Sequence, residues 1–307
     1  MIVLEILFWL SLFWLTYVFA LYPLGMAIAA KIRPRPLKIV DAPLPRVAFV
    51  MAAYNEEKVI ATRIENYLEL DYPRELLEFH IGSDGSSDRT DEIIQSYIDR
   101  DPSIKLRRYS RVGKTRIVYE IAEELDAEII AFTDADIVIN SDALRHVIPC
   151  FSDPDVGGVV GHIAFIDERK TAGSLGERKF TDLESHLKRS ESLVWTTVSP
   201  TGLCFVVRRG AYTPLENYKL SDDLNLVITI ALNGYRVWFE EGMLITEVNY
   251  RTLESETRRR LRMGQQSMAT YLSYHKTRMP WRSLVGFQVW SHKLLRNLAG
   301  VPSVVLL

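Results

Sequence analysis

An uncharged apolar segment near the N-terminus constrains this chain more than any other feature. Residues 6–30 form a run of 25 residues without a charged side chain, bounded by Glu5 and Lys31. As a helix rising about 1.5 Å per residue, this run is long enough to cross a hydrocarbon core of roughly 30 Å. It predicts a transmembrane helix over residues 1–31. A cleaved signal peptide is the alternative, but the run is too long and lacks both a basic n-region and a small-residue cleavage site.

Basic residues follow the apolar run directly, at Lys31, Arg33, Arg35 and Lys38. Because positively charged flanks stay on the cytoplasmic side, we expect the rest of the chain at the cytoplasmic face of the cell (inner or plasma) membrane. Residues 32–45 contain four prolines and are predicted to form a stiff linker out of the membrane.

The C-terminal part of the chain also carries membrane signals. Residues 276–298 interleave apolar and basic side chains, which predicts an amphipathic helix on the bilayer surface with its basic side toward lipid headgroups. An ordinary amphipathic helix packed on the domain is the alternative. Residues 299–307 are apolar but too few to span a membrane. We expect them to begin a further membrane helix, in which case the chain is truncated; a buried tail is the alternative.

Composition excludes two other classes of protein. The 37 Lys and Arg residues are balanced by 39 Asp and Glu residues, for a formal net charge of −2, which argues against a nucleic-acid-binding protein. The chain has two cysteines, Cys150 and Cys204, too few for a disulfide scaffold.

Apolar runs alternate with helical patterns through residues 46–275, which we expect to be the cytoplasmic catalytic domain. The predicted strands are Val47–Ala53, Leu77–Ser83, 104–109, 128–133 and 202–207. The predicted helices cover residues 55–70, 115–125, 175–194, 221–232 and 258–274, with another ending near residue 98. This alternation predicts an α/β fold, with a mostly parallel sheet and helices on both faces.

Three polar clusters each come directly after a predicted strand, at residues 55–56, 84–88 and 134–136. Ligands of such sheets bind beyond the carboxyl ends of the strands. Crowded carboxylates repel unless a cation lies between them, so Asp134 and Asp136 predict a site for Mg²⁺ or Mn²⁺ that can neutralise a diphosphate leaving group. A solvated loop is the alternative for this pair taken alone.

Six motifs occur in the order seen in membrane-bound family 2 glycosyltransferases. They are residues 53–57 (Ala-Tyr-Asn-Glu-Glu), 84–88 (Asp-Gly-Ser-Ser-Asp), 113–114 (Gly-Lys), 133–136 (Thr-Asp-Ala-Asp), 221–223 (Ser-Asp-Asp) and 259–263 (Arg-Arg-Leu-Arg-Met). Over about residues 47–298 the chain resembles the branch that contains cellulose, hyaluronan and poly-N-acetylglucosamine synthases. The resemblance implies a GT-A fold and an inverting transfer from a nucleotide sugar, usually UDP-linked, to a lipid-linked or growing saccharide acceptor.

The resemblance also implies which residues hold the donor. Ala53, Tyr54 and Glu56 belong to the motif that binds the nucleoside, with Tyr54 near the base. Asp84 would bind the uracil, and Lys114 would meet the nucleotide or its diphosphate.

The same resemblance assigns the metal ligands and the catalytic acids. Asp134 would face the ribose and the metal, and Asp136 would ligate the metal. Asp223 would be the general base, with Asp222 beside it. Inversion is a single displacement in which a carboxylate takes the proton of the acceptor hydroxyl. The first turn of a helix also favours the negative charge of Asp223, although a helix-capping acid is the alternative.

The motif at residues 259–263 departs from the family. Arg260 and Arg262 could stabilise the departing diphosphate, as guanidinium groups do, or form a solvated or lipid-facing basic surface. Met263 stands where the processive enzymes have tryptophan, and Asp222 stands where the family usually has glutamate. The resemblance therefore leaves processive synthesis and single addition both open. A non-catalytic nucleotide-sugar-binding membrane scaffold is the alternative from another class.

Overall fold

The computed structural model describes residues 2–164, 172–215, 220–248 and 253–306. It opens with a continuous helical segment made of α1 (Ile2–Thr16), a π-helical turn (Tyr17–Leu21) and α2 (Tyr22–Ile32). Pro23 has no N–H to donate, and the π turn directly before it accommodates the missing bond. Among the described residues, the segment Ile2–Ile32 has the length and apolar composition needed to cross a membrane. Spanning itself stays a prediction.

Eight strands form one sheet. They are β1 (Val47–Ala53), β2 (Leu77–Ser83), β3 (Ile104–Arg108), β4 (Ile129–Thr133), β5 (Ile137–Ile139), β6 (Val156–Ile163), β7 (Cys204–Arg208) and β8 (Arg236–Glu247). Their order is β3-β2-β1-β4-β7-β6-β8-β5. The first four strands in this order run parallel, as do β6 and β8, whereas β7 is antiparallel to both its neighbours and β5 to β8.

The sheet confirms the predicted fold class. The bounds of β1 and β2 match the predicted strands, and β3 and β4 each differ by one residue at one end. Both outer faces are covered by helices. The helices between the N-terminal and C-terminal segments are α3 (Ile60–Leu68), α4 (Thr90–Ile98), α5 (Lys114–Glu124), α6 (Ala143–Cys150), α7 (Ala172–Val194), α8 (Asp222–Leu232) and α9 (Leu253–Ser273). One core layer joins the sheet to α3, α4 and α6, and the other joins it to α5 and α8.

The helix predicted to begin at residue 55 begins instead at Ile60. The prediction was wrong because Asn55 has a φ of 54°. This left-handed conformation turns the chain away from β1 and is incompatible with a right-handed α-helix. Glu56 accepts the N–H groups of Val59 and Ile60 through its carbonyl oxygen, so the turn leads into α3.

The C-terminal segment forms short helices rather than one helix over residues 276–298. α10 (Leu284–Gln288), a π-helical turn (Val289–Leu294) and α11 (Leu295–Asn297) follow each other directly, and α12 (Gly300–Val305) packs against α1. Val285, Val289 and Leu294 are buried in the core layer shared with α8, while Leu284 and Phe287 are exposed. One face of the segment thus packs on the domain, and its contact with a bilayer stays a prediction.

Candidate active site

The predicted polar clusters lie at one edge of the sheet. The register pairs Ala53 at the end of β1 with Ser83 at the end of β2, and β4 lies on the other side of β1. Asp84 and Asp134 directly follow the ends of β2 and β4. The carbonyl oxygen of Ala53 accepts the N–H of Asp84 at 2.8 Å. Ala53 therefore helps to fix the edge through its backbone.

The loop before α5 encloses the carboxylate of Asp84. This residue is 5% exposed, and its two oxygens accept the backbone N–H groups of Val112 at 2.7 Å and Gly113 at 3.1 Å. Arg111 adds an ion pair of 3.4 Å to the same carboxylate. Gly113 has a φ of 93°, which glycine adopts without steric cost. Asp84 thus fixes the loop that leads into Lys114.

Tyr54 lies beside the same loop with its ring 41% exposed. The guanidinium carbon of Arg111 lies 3.4 Å from the centroid of that ring, a cation–π contact. Arg111 could not be singled out from the sequence, because one arginine in a loop carries no signal until the fold brings it to Tyr54 and Asp84. Arg111 itself has a φ of 54°.

Glu56 occupies the turn between β1 and α3. Its backbone N–H donates to the hydroxyl of Thr90 at 2.8 Å, and its side chain is half-buried. The neighbouring Asn55 accepts the N–H of Ser87 at 2.9 Å through its side-chain oxygen. These bonds join the first polar cluster to the second.

Lys114 begins α5 and joins the acidic residues of two other elements. Its Nζ donates to Asp134 Oδ1 at 2.6 Å and lies 3.7 Å from Asp222 Oδ2. Burial raises the pKa of Asp134, and Lys114 offsets only part of this rise because Asp136 and Asp222 push the pKa up as well. The structure therefore brings together four of the residues that the sequence singled out.

Asp223 lies in the first turn of α8. Its Oδ1 accepts the hydroxyl of Ser221 at 2.5 Å and the N–H of Leu224 at 2.7 Å. Ser221 is the N-cap residue, as predicted, but its hydroxyl donates to Asp223 rather than accepting a helix N–H. Burial and the neighbouring Asp222 carboxylate raise the pKa of Asp223, which makes it a stronger base once it is ionised.

Gly202 lies against the second oxygen of Asp223. Its φ is 80°, and a Cβ at this position would lie 3.2 Å from Asp223 Oδ2. A cavity of about 30 Å³ lies here, lined by Lys114, Asp134 and Asp223 among other residues. The sequence predicts only the start of a strand at residue 202, because a single glycine does not reveal which side chain approaches it.

Asp136 is half-buried, and its carbonyl oxygen accepts the N–H of Val248 at 2.8 Å. The described residues contain no group of three or more His, Cys, Asp or Glu side chains close enough to hold a metal by themselves. Mg²⁺ is nevertheless often bound by one or two carboxylates together with substrate phosphates and water. Asp134 and Asp136 fit a cation of this kind, whose remaining ligands come with a diphosphate.

The last motif, residues 259–263, belongs to α9. The side chain of Arg260 lies outside the described part of the chain. Arg262 is exposed. The nearest described link from α9 to α8 is the bond from the N–H of Ser221 to the hydroxyl of Thr270 at 3.0 Å, about 12 Å along the helix from Arg262. Met263 is 41% exposed.

The largest described cavity, about 1250 Å³, lies elsewhere, under the linker. None of the motif residues lines it. Buried acids and a paired lysine mark a functional site more strongly than volume does, so the sheet edge is the candidate site.

Comparison with known proteins identifies the family. The sequence pattern described as Glycosyl transferase family 2 matches residues 48–214, more than half of the chain and all but one of the strands described above. The chain belongs to this family. It is therefore a glycosyltransferase, and the predicted GT-A fold is confirmed.

Members of known activity resemble the chain over most of its length. Beta-monoglucosyldiacylglycerol synthase of Synechocystis sp. is 25% identical over 325 residues, which cover 99% of this chain and 67% of the relative. Poly-beta-1,6-N-acetyl-D-glucosamine synthase of Staphylococcus aureus is 24% identical over 226 residues, covering 72% of this chain and 54% of the relative. The chain thus spans between about half and two thirds of the length of these family 2 relatives.

A solved structure shows the same fold. Mannosyltransferase PcManGT from Pyrobaculum calidifontis, in complex with GDP-Man and Mn²⁺, superposes with a TM-score of 0.77 at 21% sequence identity. The match covers 97% of this chain and 85% of that chain. The likeness extends beyond the residues that the family pattern matches, so the N-terminal and C-terminal helical segments belong to the shared architecture.

Proposed function

We propose that this chain is a membrane-anchored, inverting glycosyltransferase that moves a sugar from a nucleotide sugar to a lipid-linked or growing saccharide acceptor. The observation that carries the proposal is the convergence of Lys114, Asp134, Asp222 and Asp223 at the carboxyl edge of the sheet. A lysine held between carboxylates can bind a diphosphate, and a buried carboxylate beside it can act as the general base of the transfer.

The nucleotide lies along the open edge from Tyr54 to Lys114 in this proposal. The cavity of about 30 Å³ beside Asp223 is far too small for a nucleotide sugar, so only the reacting end of the sugar reaches it. The exposed ring of Tyr54 is available to the nucleobase, and the motif resemblance assigns Asp84 to the uracil although its two oxygens also hold the loop. We assign UDP as the donor nucleotide on the motif resemblance. Because the P. calidifontis enzyme binds GDP-Man, GDP-sugars are also tested as donors in the experiment below.

Asp134 and Asp136 would hold a divalent cation, Mg²⁺ or Mn²⁺. The Mn²⁺ in the complex of the P. calidifontis enzyme supports this choice. When bound, the cation supplies positive charge that neutralises the departing diphosphate. Lys114 adds a second positive charge at the same edge, already oriented by its bond to Asp134.

Asp223 acts as the general base. It takes the proton of the acceptor hydroxyl while that oxygen forms the bond to the anomeric carbon, and the bond from that carbon to the phosphate oxygen breaks with inversion. The electron pair leaves on the nucleoside diphosphate, next to Lys114. Ser221 and Leu224 hold Oδ1 of Asp223, so Oδ2 is the oxygen that faces the acceptor.

The anchoring half of the proposal rests on the N-terminal helix. Its length and composition suit a membrane span, and the basic residues after it favour a cytoplasmic catalytic domain. The named relatives are synthases of a glucosyldiacylglycerol and of a polysaccharide, so lipid-borne and growing saccharide acceptors are both in the proposal.

The test is transfer by the Asp223→Asn variant of the full chain in detergent, with UDP-, GDP- and dTDP-sugars. We expect turnover to fall by about 10²–10⁴-fold, with nucleotide affinity unchanged by calorimetry. Asp41→Asn, in the exposed linker, is the matched control. Normal turnover in Asp223→Asn would contradict the assigned base. Nucleotide binding without turnover in the parent, unchanged by Asp223→Asn, would favour the non-catalytic scaffold.

The metal ligands are tested separately. Asp136→Asn should abolish the part of nucleotide binding that depends on Mn²⁺, because the remaining acid cannot replace the lost ligand. Calorimetry with and without Mn²⁺ measures this part. Equal affinities for parent and variant in both buffers would rule the site out. Product length separates single addition from processive synthesis.

A further inference from the structure

A second cavity lies between the N-terminal helix, α7 and the C-terminal helices. Its volume is about 420 Å³, within the range of pockets that hold small ligands. Its lining includes Phe19 and one carboxylate, Glu184. The basic side chains that line it are Lys188, His292, Lys293 and Arg296. We call it the basic cavity.

The basic cavity lies where the N-terminal helix would leave a bilayer. The helical segment Ile2–Ile32 has 31 residues, about 46 Å at a rise of 1.5 Å per residue, whereas the hydrocarbon core is roughly 30 Å thick. α2 packs on α7, where Tyr22, Met26 and Leu187 form a buried cluster. Residues 2–21 span about 30 Å, the thickness of the hydrocarbon core, which would place Phe19 near its boundary, beside the C-terminal helices to which Trp14 and Tyr17 are bonded.

The two carboxylates beside the basic cavity are already in use. Glu184 pairs with His292 at 3.0 Å, with Lys293 at 3.5 Å and with Arg296 at 2.5 Å. Burial would raise the pKa of Glu184, but these three cations outweigh it and hold the pKa well below its usual range. Glu191 pairs with the other nitrogen of His292 at 2.9 Å. These two acids leave the fourth cation, Lys188, without a carboxylate of its own.

Lys188 is 5% exposed and lines the basic cavity. In the described ranges of the chain it makes no hydrogen bond or ion pair, and its ammonium lies 5.7 Å from the ring centroid of Phe239. Burial lowers the pKa of Lys188 to about 8, against the attraction of Glu184, so the amine is still protonated at neutral pH. A buried charge without a partner destabilises the fold, and a bound anion would remove that cost.

We propose that the basic cavity binds the phosphate of a lipid headgroup at the membrane surface. Arginine and lysine donors at headgroup height suit a phosphate, and the apolar ring of Phe19 suits the lipid beside it. Ser199 and Pro200 line this cavity, while Gly202, three residues further along, lines the cavity beside Asp223. The bound lipid thus lies next to the catalytic edge. The inference rests on the membrane anchoring proposed above, and adds that the lipid bound beside the site carries a phosphate in its headgroup.

The experiment titrates three soluble probes into the full chain in uncharged detergent. Dihexanoyl-phosphatidylglycerol carries the lipid phosphate, dihexanoylglycerol lacks it, and inorganic phosphate lacks the lipid. Lys188→Met removes the charge at nearly constant size. Lys179→Met is the matched control. Lys179 is an exposed residue of the same helix, and at 100° per residue it lies on the opposite side of that helix from Lys188.

We expect the parent and Lys179→Met to bind dihexanoyl-phosphatidylglycerol, and Lys188→Met to bind it at least tenfold more weakly, since a charged hydrogen bond is lost. Without the probe, Lys188→Met should melt at the same or a higher temperature than the parent, because an unpaired buried charge is gone. Binding of inorganic phosphate that depends equally on Lys188 supports the phosphate site and assigns its source to the free ion. Equal affinity of Lys188→Met and the parent for dihexanoyl-phosphatidylglycerol, or tighter binding of dihexanoylglycerol, would overturn the proposal.

Titration with UDP and GDP in the same samples separates this inference from the proposed function. Intact nucleotide binding in Lys188→Met shows that the variant is folded. A parent chain that binds nucleotide but not dihexanoyl-phosphatidylglycerol overturns the inference alone. Lipid phosphate binding in a parent chain that binds no nucleotide overturns the donor site alone.

Discussion

The Asp84→Asn substitution distinguishes two roles of this carboxylate, which are to hold the loop before α5 and to contact the nucleobase directly. In the structure its two oxygens accept the N–H groups of Val112 and Gly113 at 2.7 and 3.1 Å. Asparagine offers one oxygen and one NH₂ group, so one of the two N–H groups loses its acceptor. A lost hydrogen bond to a charged group costs about 1.5–3 kcal/mol. The half-exposed ion pair with Arg111 adds less than about 1 kcal/mol, for a total of about 2–4 kcal/mol.

Thermal unfolding in detergent measures this loss. For a domain of this size each kcal/mol lowers the midpoint by about 2–4 °C, so Asp84→Asn should melt about 4–16 °C below the parent. Asp126→Asn is the matched control, because the Asp126 side chain is 99% exposed in its pair with Arg46 and its loss should cost less than about 1 kcal/mol. Nucleotide affinity should fall as well, since Lys114 directly follows the loosened loop.

The two measurements together decide the role of Asp84. A variant that melts with the parent would refute the argument that this carboxylate fixes the loop. If that variant also loses nucleotide affinity, the role of Asp84 is direct contact with the base, as the motif resemblance implies. A fall in both quantities is the result that the geometry predicts.

Three further substitutions test the site and its support. Gly202→Ala forces an unfavourable φ and crowds Asp223 Oδ2 at 3.2 Å, so we expect kcat to fall at least tenfold with little change in KM; an unchanged kcat would contradict the close approach. Gly82→Ala places a Cβ 2.2 Å from Ile117 Cγ2 and should destabilise the fold by about 1–3 kcal/mol, measured by urea unfolding, where an unchanged midpoint would count against it. Burial would lower the pKa of His292, but two glutamates raise it above the ordinary 6.5. Its stabilisation is therefore complete below about pH 6.5 and is lost as pH rises through the raised pKa, a loss that melting curves should show in the parent and not in His292→Gln.

The first two strands along the chain could be predicted because they are short segments rich in apolar residues and ended by polar turns. β1 is apolar throughout, and in β2 the buried Leu77, Phe79 and Ile81 alternate with the half-buried Glu78 and His80, so the bounds of both strands are sharp. β8 (Arg236–Glu247) is different, because buried and exposed residues mix along it and it carries three acids and an arginine. β5 has three residues, too few for any periodicity. Strands of these two kinds become recognisable only when their neighbours are known.

The acids of the site could be predicted because they follow strand ends, where the topology gathers them. Arg111 and Gly202 could not, since their contributions depend on left-handed backbone and on contacts with residues far along the chain. The same holds for Asp84, whose hydrogen bonds to a loop about 28 residues later give it a structural task that its motif does not express.

The structure changes how the linker is understood. The prolines of residues 32–45 predict a stiff spacer, yet the chain around Arg35 is hydrogen-bonded to the domain. The N–H of Arg35 donates to the carbonyl oxygen of Leu193 at 2.7 Å, and its own carbonyl oxygen accepts a bond from the guanidinium of Arg236 at 2.6 Å. Tyr22 donates to Glu191 at 2.6 Å, so α2 is held by the domain as well. In the proposed membrane-anchored arrangement, the height of the catalytic edge above the bilayer is set by packing and not by a tether. A transferase whose acceptor diffuses in solution has no use for such a fixed height, whereas one whose acceptor arrives in the membrane needs it, and this favours the lipid-borne acceptor.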